Sequence, residues 1–141
     1  MINKSGSAKW SGGLKDGTGH VSTQTGALSD QPYGFNTRFE GEPGTNPEEI
    51  LGAAHAACFS MALSMVLGQS DLTPDNIETK ATVSLEEKDG GFAITKVHLD
   101  VTGSVPNATE AQFLEAANGA KENCPLSKVI NAEITMDAKF V

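Results

Sequence analysis

The stretch from Ile50 to Gly68 runs nineteen residues without an Asp, Glu, Lys or Arg, and nothing else in the chain restricts its fold so strongly. A run of that length is either a helix buried in protein or a span of a bilayer. The residues before it mark a helix start. Asn46 suits the N-cap, Pro47 the first helical position, and Glu49 stands three residues after the cap, where a capping box places it. Glu48 and Glu49 also favour the positive end of the helix dipole. These signals predict a helix from Pro47 to about Leu67, ending near Gly68. Its chemistry opposes a bilayer. The run is rich in Ala, carries His55, Ser60 and Ser64, and is flanked by Glu48, Glu49 and Asp71 rather than by the Lys or Arg expected at one end of a span. A helix apolar on all sides is then expected in a protein core.

The rest of the chain reads as strands and two further helices. Ser7 to Trp10 and Gly19 to Thr25 are short strands around the turn signals Gly12-Gly13 and Asp16-Gly17. Gln31 to Gly34 reads as a turn. Phe35 to Glu40 alternates as a half-buried strand, with Arg38 opposite Phe35 and Phe39. Asn76 to Glu87 and Phe92 to Thr102 alternate around the hairpin turn Asp89-Gly90-Gly91, with a break at Thr95-Lys96 that reads as a bulge. Thr109 to Glu122 has helical spacing and a capping box of Thr109 and Gln112. Pro125 to Ile130 reads as a short helix and Ala132 to Phe140 as a last strand. The order β-β-β-α-β-β-α-(α)-β predicts an α+β fold with antiparallel sheets, as a single domain over residues 1–141.

Charge narrows the function classes. The net charge is -8, with ten Lys and Arg against eighteen Asp and Glu. That balance opposes nucleic-acid binding and attraction to an anionic membrane. Lys4 and Lys9 are followed by no apolar segment, so no secretory signal is visible and the cytoplasm is the expected location. Two cysteines in a cytoplasmic chain are more often catalytic, transient or inert than a structural bridge.

Cys58 lies in the middle of the apolar helix, too far in for the helix N-terminus to lower its pKa. A reactive Cys58 therefore needs a cation from elsewhere, and Arg38, the only arginine, is the candidate. Cys124 precedes Pro125 and so sits at a cap, where backbone N–H groups favour a thiolate. Glu48 and Cys58 are ten residues apart, about 15 Å along a helix, beyond the reach of a Glu side chain. If the two cooperate, Glu48 comes from a second subunit. His55, one turn before Cys58, could act as its base, or join Cys58 and Cys124 as a third metal ligand. No C-x-x-C or H-E-x-x-H supports metal, and no G-x-S-x-G supports a hydrolase. His20 and His98 look like strand or loop residues. Inert buried cysteines in a structural dimer, and a non-catalytic thiol- or metal-binding dimer, are the competing readings.

The run from Gln31 through Tyr33, Arg38, Phe39 and Glu40 to Gly41, followed by Gly44-Thr45-Asn46-Pro47-Glu48-Glu49, resembles the osmotically inducible protein C (OsmC) family. So do Gly52 to Ser60, around His55 and Cys58, and the Cys124-Pro125 step. The related organic hydroperoxide resistance (Ohr) proteins share the helix and the cysteines. The Arg38-Phe39-Glu40-Gly41 segment and His55 are more similar to OsmC proper. The resemblance spans essentially the whole chain. It implies an intertwined homodimer with central helices against antiparallel sheets and active sites at the subunit interface. It implies a stress-defence peroxidase acting on organic hydroperoxides in preference to hydrogen peroxide, with an external dithiol as reductant and no cofactor or metal. By position, Cys58 resembles the peroxidatic cysteine, Cys124 the resolving one, and Arg38 and Glu48 the pair that activates the thiolate and orients the peroxide. Phe59, Met61 and Phe39 are candidates for an apolar substrate wall.

Overall fold

The computed structural model describes all residues from Met1 to Val141. The chain divides into two compact units, Met1–Ile50 and Leu51–Val141.

In the first unit, β1 (Gly6–Ser11), β2 (Thr18–Thr23) and β3 (Gln31–Tyr33) form an antiparallel sheet in that order. Gly12, at φ +96°, begins the β1–β2 turn, where a Cβ would press on the Gly17 backbone. Two expectations shift here. Gln31 to Tyr33 is a strand rather than a turn, because β3 lies at the sheet edge, where Pro32 gives up no ladder bond. The Pro32 carbonyl instead accepts from the N–H and Oγ1 of Thr45 at 3.1 and 3.0 Å. The segment read as a strand from Phe35 to Glu40 is the helix α1 (Phe35–Phe39). A spacing of four satisfies both the strand and the helix period, so Phe35 and Phe39 fit either. Two local contacts favour the helix. The Gly34 N–H donates to Thr37 Oγ1 at 2.9 Å, and the two Phe rings pack at 4.8 Å between centroids, tilted by 43°.

Helix α2 (Pro47–Gly68) begins and ends as its caps predict. Asn46 Oδ1 accepts from the Glu49 N–H at 2.8 Å. The helix is long and apolar enough to cross a membrane. It buries one regular stripe of Gly52, His55, Phe59, Leu63 and Leu67, at steps of three and four residues, and leaves Met61 and Met65 exposed, so the expectation of a helix buried on all sides holds for one face alone.

In the second unit, β4 (Asn76–Lys88) and β5 (Gly91–Ser104) make a long hairpin about Asp89 and Gly90, both at positive φ. Ser84 pairs with Lys96 and Leu85 with Ile94, which leaves Thr95 as the extra residue of a bulge, where the alternation breaks. The helices α3 (Glu110–Asn123) and α4 (Pro125–Val129) follow, and then β6 (Glu133–Phe140). Thr109 and Gln112 close the expected capping box, each side chain taking the other's backbone N–H. The sheets are not antiparallel throughout, since β6 runs parallel to β5. Parallel pairing needs a crossover connection, and the two helices between β5 and β6 supply one. The core joins Phe59, Leu63 and Leu67 of α2 to Val97, Leu99 and Val101 of β5 and Phe113, Ala117 and Ala120 of α3. Where α2 meets β4, Gly52 permits a close approach, since a Cβ there would stand 3.0 Å from the Ala81 carbonyl oxygen.

Candidate active site

In the first unit, α1 and the first turn of α2 bring Arg38 and Glu48 together. Arg38 Nε donates to Glu48 Oε2 at 3.1 Å and Nη2 to Oε1 at 2.7 Å, a two-pronged pair that fixes the guanidinium plane. The Arg38 guanidinium also lies over the Phe39 ring at 5.4 Å. The Glu48 side chain is 12% exposed and that of Arg38 35%. The pairing thus leaves the cation reachable while its planar fork is held in one orientation.

In the second unit, α2 and the start of α4 bring Cys58 and Cys124 together as free thiols. Cys124 takes the expected cap position: it closes α3, begins α4, and its sulfur accepts from the Ser127 N–H at 3.4 Å. The neighbouring N–H, that of Leu126, serves Cys58. The first turn of α4 therefore offers one backbone donor to each sulfur. Burial pushes the Cys58 thiol above its ordinary value of 9.0. Cys124 pushes it the same way, through charge and through a hydrogen bond, while the Leu126 N–H opposes both. Cys58 is half-buried and Cys124 only 1% exposed. Of the expected apolar wall, Phe59 is fully buried among core side chains and can wall no substrate, whereas Met61 is 76% exposed.

Ser127 escaped the sequence reading. Its hydroxyl lies 2.8 Å from His55 Nε2 and 3.0 Å from Cys124 Sγ, linking the two. The available signal was its place three residues after a capping cysteine, where a side chain meets the cap. His55 is fully buried, and burial lowers its pKa from 6.5, so its ring is neutral at neutral pH. Its Nε2 is taken by Ser127, which weakens the reading of His55, Cys58 and Cys124 as a metal site. A second set of possible ligands, His98, Asp100 and Asp137, has its donor atoms within 4.8 Å of one another. Both Asp are exposed, and His98 bonds Thr135 Oγ1 through Nδ1 at 2.6 Å while Nε2 faces the carboxylates.

The family model for OsmC-like proteins matches residues 39–139. Peroxiredoxin OsmC of Escherichia coli (strain K12) is 57% identical to the chain over 136 residues, which is 96% of this chain and 95% of that protein. The chain belongs to the OsmC family. The organic hydroperoxide resistance protein OhrB of Bacillus subtilis (strain 168) is 32% identical over 124 residues, covering 86% of this chain and 89% of OhrB. The crystal structure of OhrB of Bacillus subtilis superposes with a TM-score of 0.69 at 27% identity, over 97% of this chain and 98% of that one. The OsmC-family α+β architecture of two small sheets with helices thus extends to the OhrB branch.

Proposed function

We propose that this chain, as one unit over residues 1–141, is a thiol-dependent peroxidase that reduces organic hydroperoxides, and hydrogen peroxide more weakly. The observation that carries the reading is the pair of free thiols under one helix turn, one reachable and one shielded. The names of its relatives, a peroxiredoxin and an organic hydroperoxide resistance protein, support the same chemistry.

The half-buried Cys58 takes the peroxidatic role. Its thiolate attacks the O–O bond, an alcohol leaves, and Cys58 becomes a sulfenic acid. The buried Cys124, shielded from peroxide, then attacks that sulfur, giving a Cys58–Cys124 disulfide and water. An external dithiol restores both thiols. Because burial and Cys124 both push the Cys58 thiol up, the reaction needs a cation at the sulfur. Arg38, held by Glu48, supplies it and stabilises the charge on the leaving oxygen. The pair comes from the partner of a homodimer, since about 15 Å of helix separates Glu48 from Cys58 in one chain. Met61 and Met65 of α2, 76% and 63% exposed, provide apolar surface for such a partner. The cycle needs no metal or organic cofactor.

The test is intact mass and free-thiol count of reduced protein before and after one equivalent of cumene hydroperoxide. Loss of two hydrogens and both thiols, reversed by a dithiol, is expected. An unchanged mass with both thiols free would remove the peroxidase and leave a thiol- or metal-binding dimer.

A further inference from the structure

We propose that His55 and Ser127 form a positioning relay that aims the Ser127 hydroxyl at Cys124 and so stabilises the charge that the resolving sulfur carries when it attacks. The proposal rests on the peroxidase reading for its purpose and on the hydrogen-bond geometry for its existence.

The ring of His55 sets the direction of the relay. The side chain is fully buried, and its Nδ1 has no hydrogen-bond partner. A buried N–H without an acceptor is costlier than a bare lone pair, so the proton belongs on Nε2. Nε2–H then donates to Ser127 Oγ at 2.8 Å. A serine hydroxyl otherwise rotates to suit its surroundings. Here one of its two lone pairs is taken by His55, which leaves its own hydrogen free to point to the other neighbour, Cys124 Sγ at 3.0 Å. The Ser127 N–H meets the same sulfur at 3.4 Å. Two donors from one residue therefore converge on a thiol that is 1% exposed, where water cannot solvate a charge. Hydrogen bonds to a charged acceptor are about twice as strong as neutral ones, so the two donors offset part of the cost that burial imposes on a thiolate at this sulfur.

The step it assists is the second half of the cycle. Cys124 thiolate attacks the Cys58 sulfenic sulfur, the new S–S bond forms, and the S–O bond breaks. Hydroxide leaves and takes up the proton that Cys124 had released, so one thiol and one sulfenic acid give one disulfide and one water. No proton rests on His55, whose burial disfavours the charged ring. Its part is to fix the direction of the hydroxyl.

Two measurements test the relay. The first does not depend on peroxidase activity. In the Cys58→Ser protein, the ultraviolet absorbance of the Cys124 thiolate is followed against pH, with and without Ser127→Ala. Loss of the hydroxyl is expected to leave about tenfold less thiolate at a given pH, as removal of a hydrogen bond to a charged group should. Ser127→Thr is expected to restore the curve. The second follows disulfide formation after Cys58 is oxidised in the two-cysteine protein. Ser127→Ala is expected to slow it by only about threefold, because the remaining thiolate is more nucleophilic. His55→Phe should reproduce the shifted titration. If that variant does not fold, Ser127→Ala decides alone, since it removes one half-buried hydroxyl. Identical titration curves and identical resolution rates with and without the hydroxyl would overturn the relay. A shifted titration in a protein that never forms the disulfide would retain the relay and overturn the peroxidase reading instead.

Discussion

His55 shows what one buried residue contributes. Its folded pKa lies below 6.5, so the unfolded chain takes up the proton first as the pH falls. Between the two values the unfolded state holds more protons, and stability rises with pH. His55 therefore stabilises the fold fully above pH 6.5 and loses that contribution as the pH drops through and below it. Denaturant unfolding from pH 7.5 downward should show this loss, at a limiting slope of about 1.4 kcal/mol per pH unit for one group. In His55→Leu that component of the slope should vanish. An unchanged slope would assign the acid sensitivity to other groups. The sequence placed His55 one turn from Cys58 but not its bond to Ser127, since these residues are 72 positions apart. Arg38 and Glu48 were likewise legible as individual residues. Their two-pronged pairing depends on α1 being a helix.

At the level of elements, caps and turns were the most legible features and short segments the least. Asn46, Thr109 and Cys124 cap the helices they announce, because a cap is a local bond between residues two or three apart. Phe35 to Phe39 failed because five residues are too few to separate the two periods. Packing that no local pattern encodes appears at Gly103 of β5, where a Cβ would collide with the Phe113 ring of α3. Gly103→Ala should destabilise the protein by about 1–3 kcal/mol through overpacking. Gly119 of α3 has open space around its Cα, so Gly119→Ala should stabilise it by about 0.5–1 kcal/mol. Urea midpoints of the two variants check both signs; equal shifts would mean that the contact with Phe113 yields freely.

At the level of the whole molecule, the proposed site needs two chains, and complementation can establish that. Arg38→Ala and Cys58→Ser should each abolish turnover alone. Mixed and allowed to exchange subunits, they should recover about a quarter of wild-type activity, because about half of the dimers are mixed and each mixed dimer has one intact site of two. A site built within one chain would recover none.

The sequence by itself determined the central helix, its caps, the β4–β5 hairpin with its bulge, and the residue types that make the chemistry. These follow from bonds and periodicities within a few residues. Only the tertiary structure decided the parallel pairing of β6 with β5, the helical α1, the burial of Phe59, and the line from His55 through Ser127 to Cys124. Each depends on groups far apart in the chain meeting where water is excluded, or on a local tie between two periods that only the contacts of the folded chain resolve.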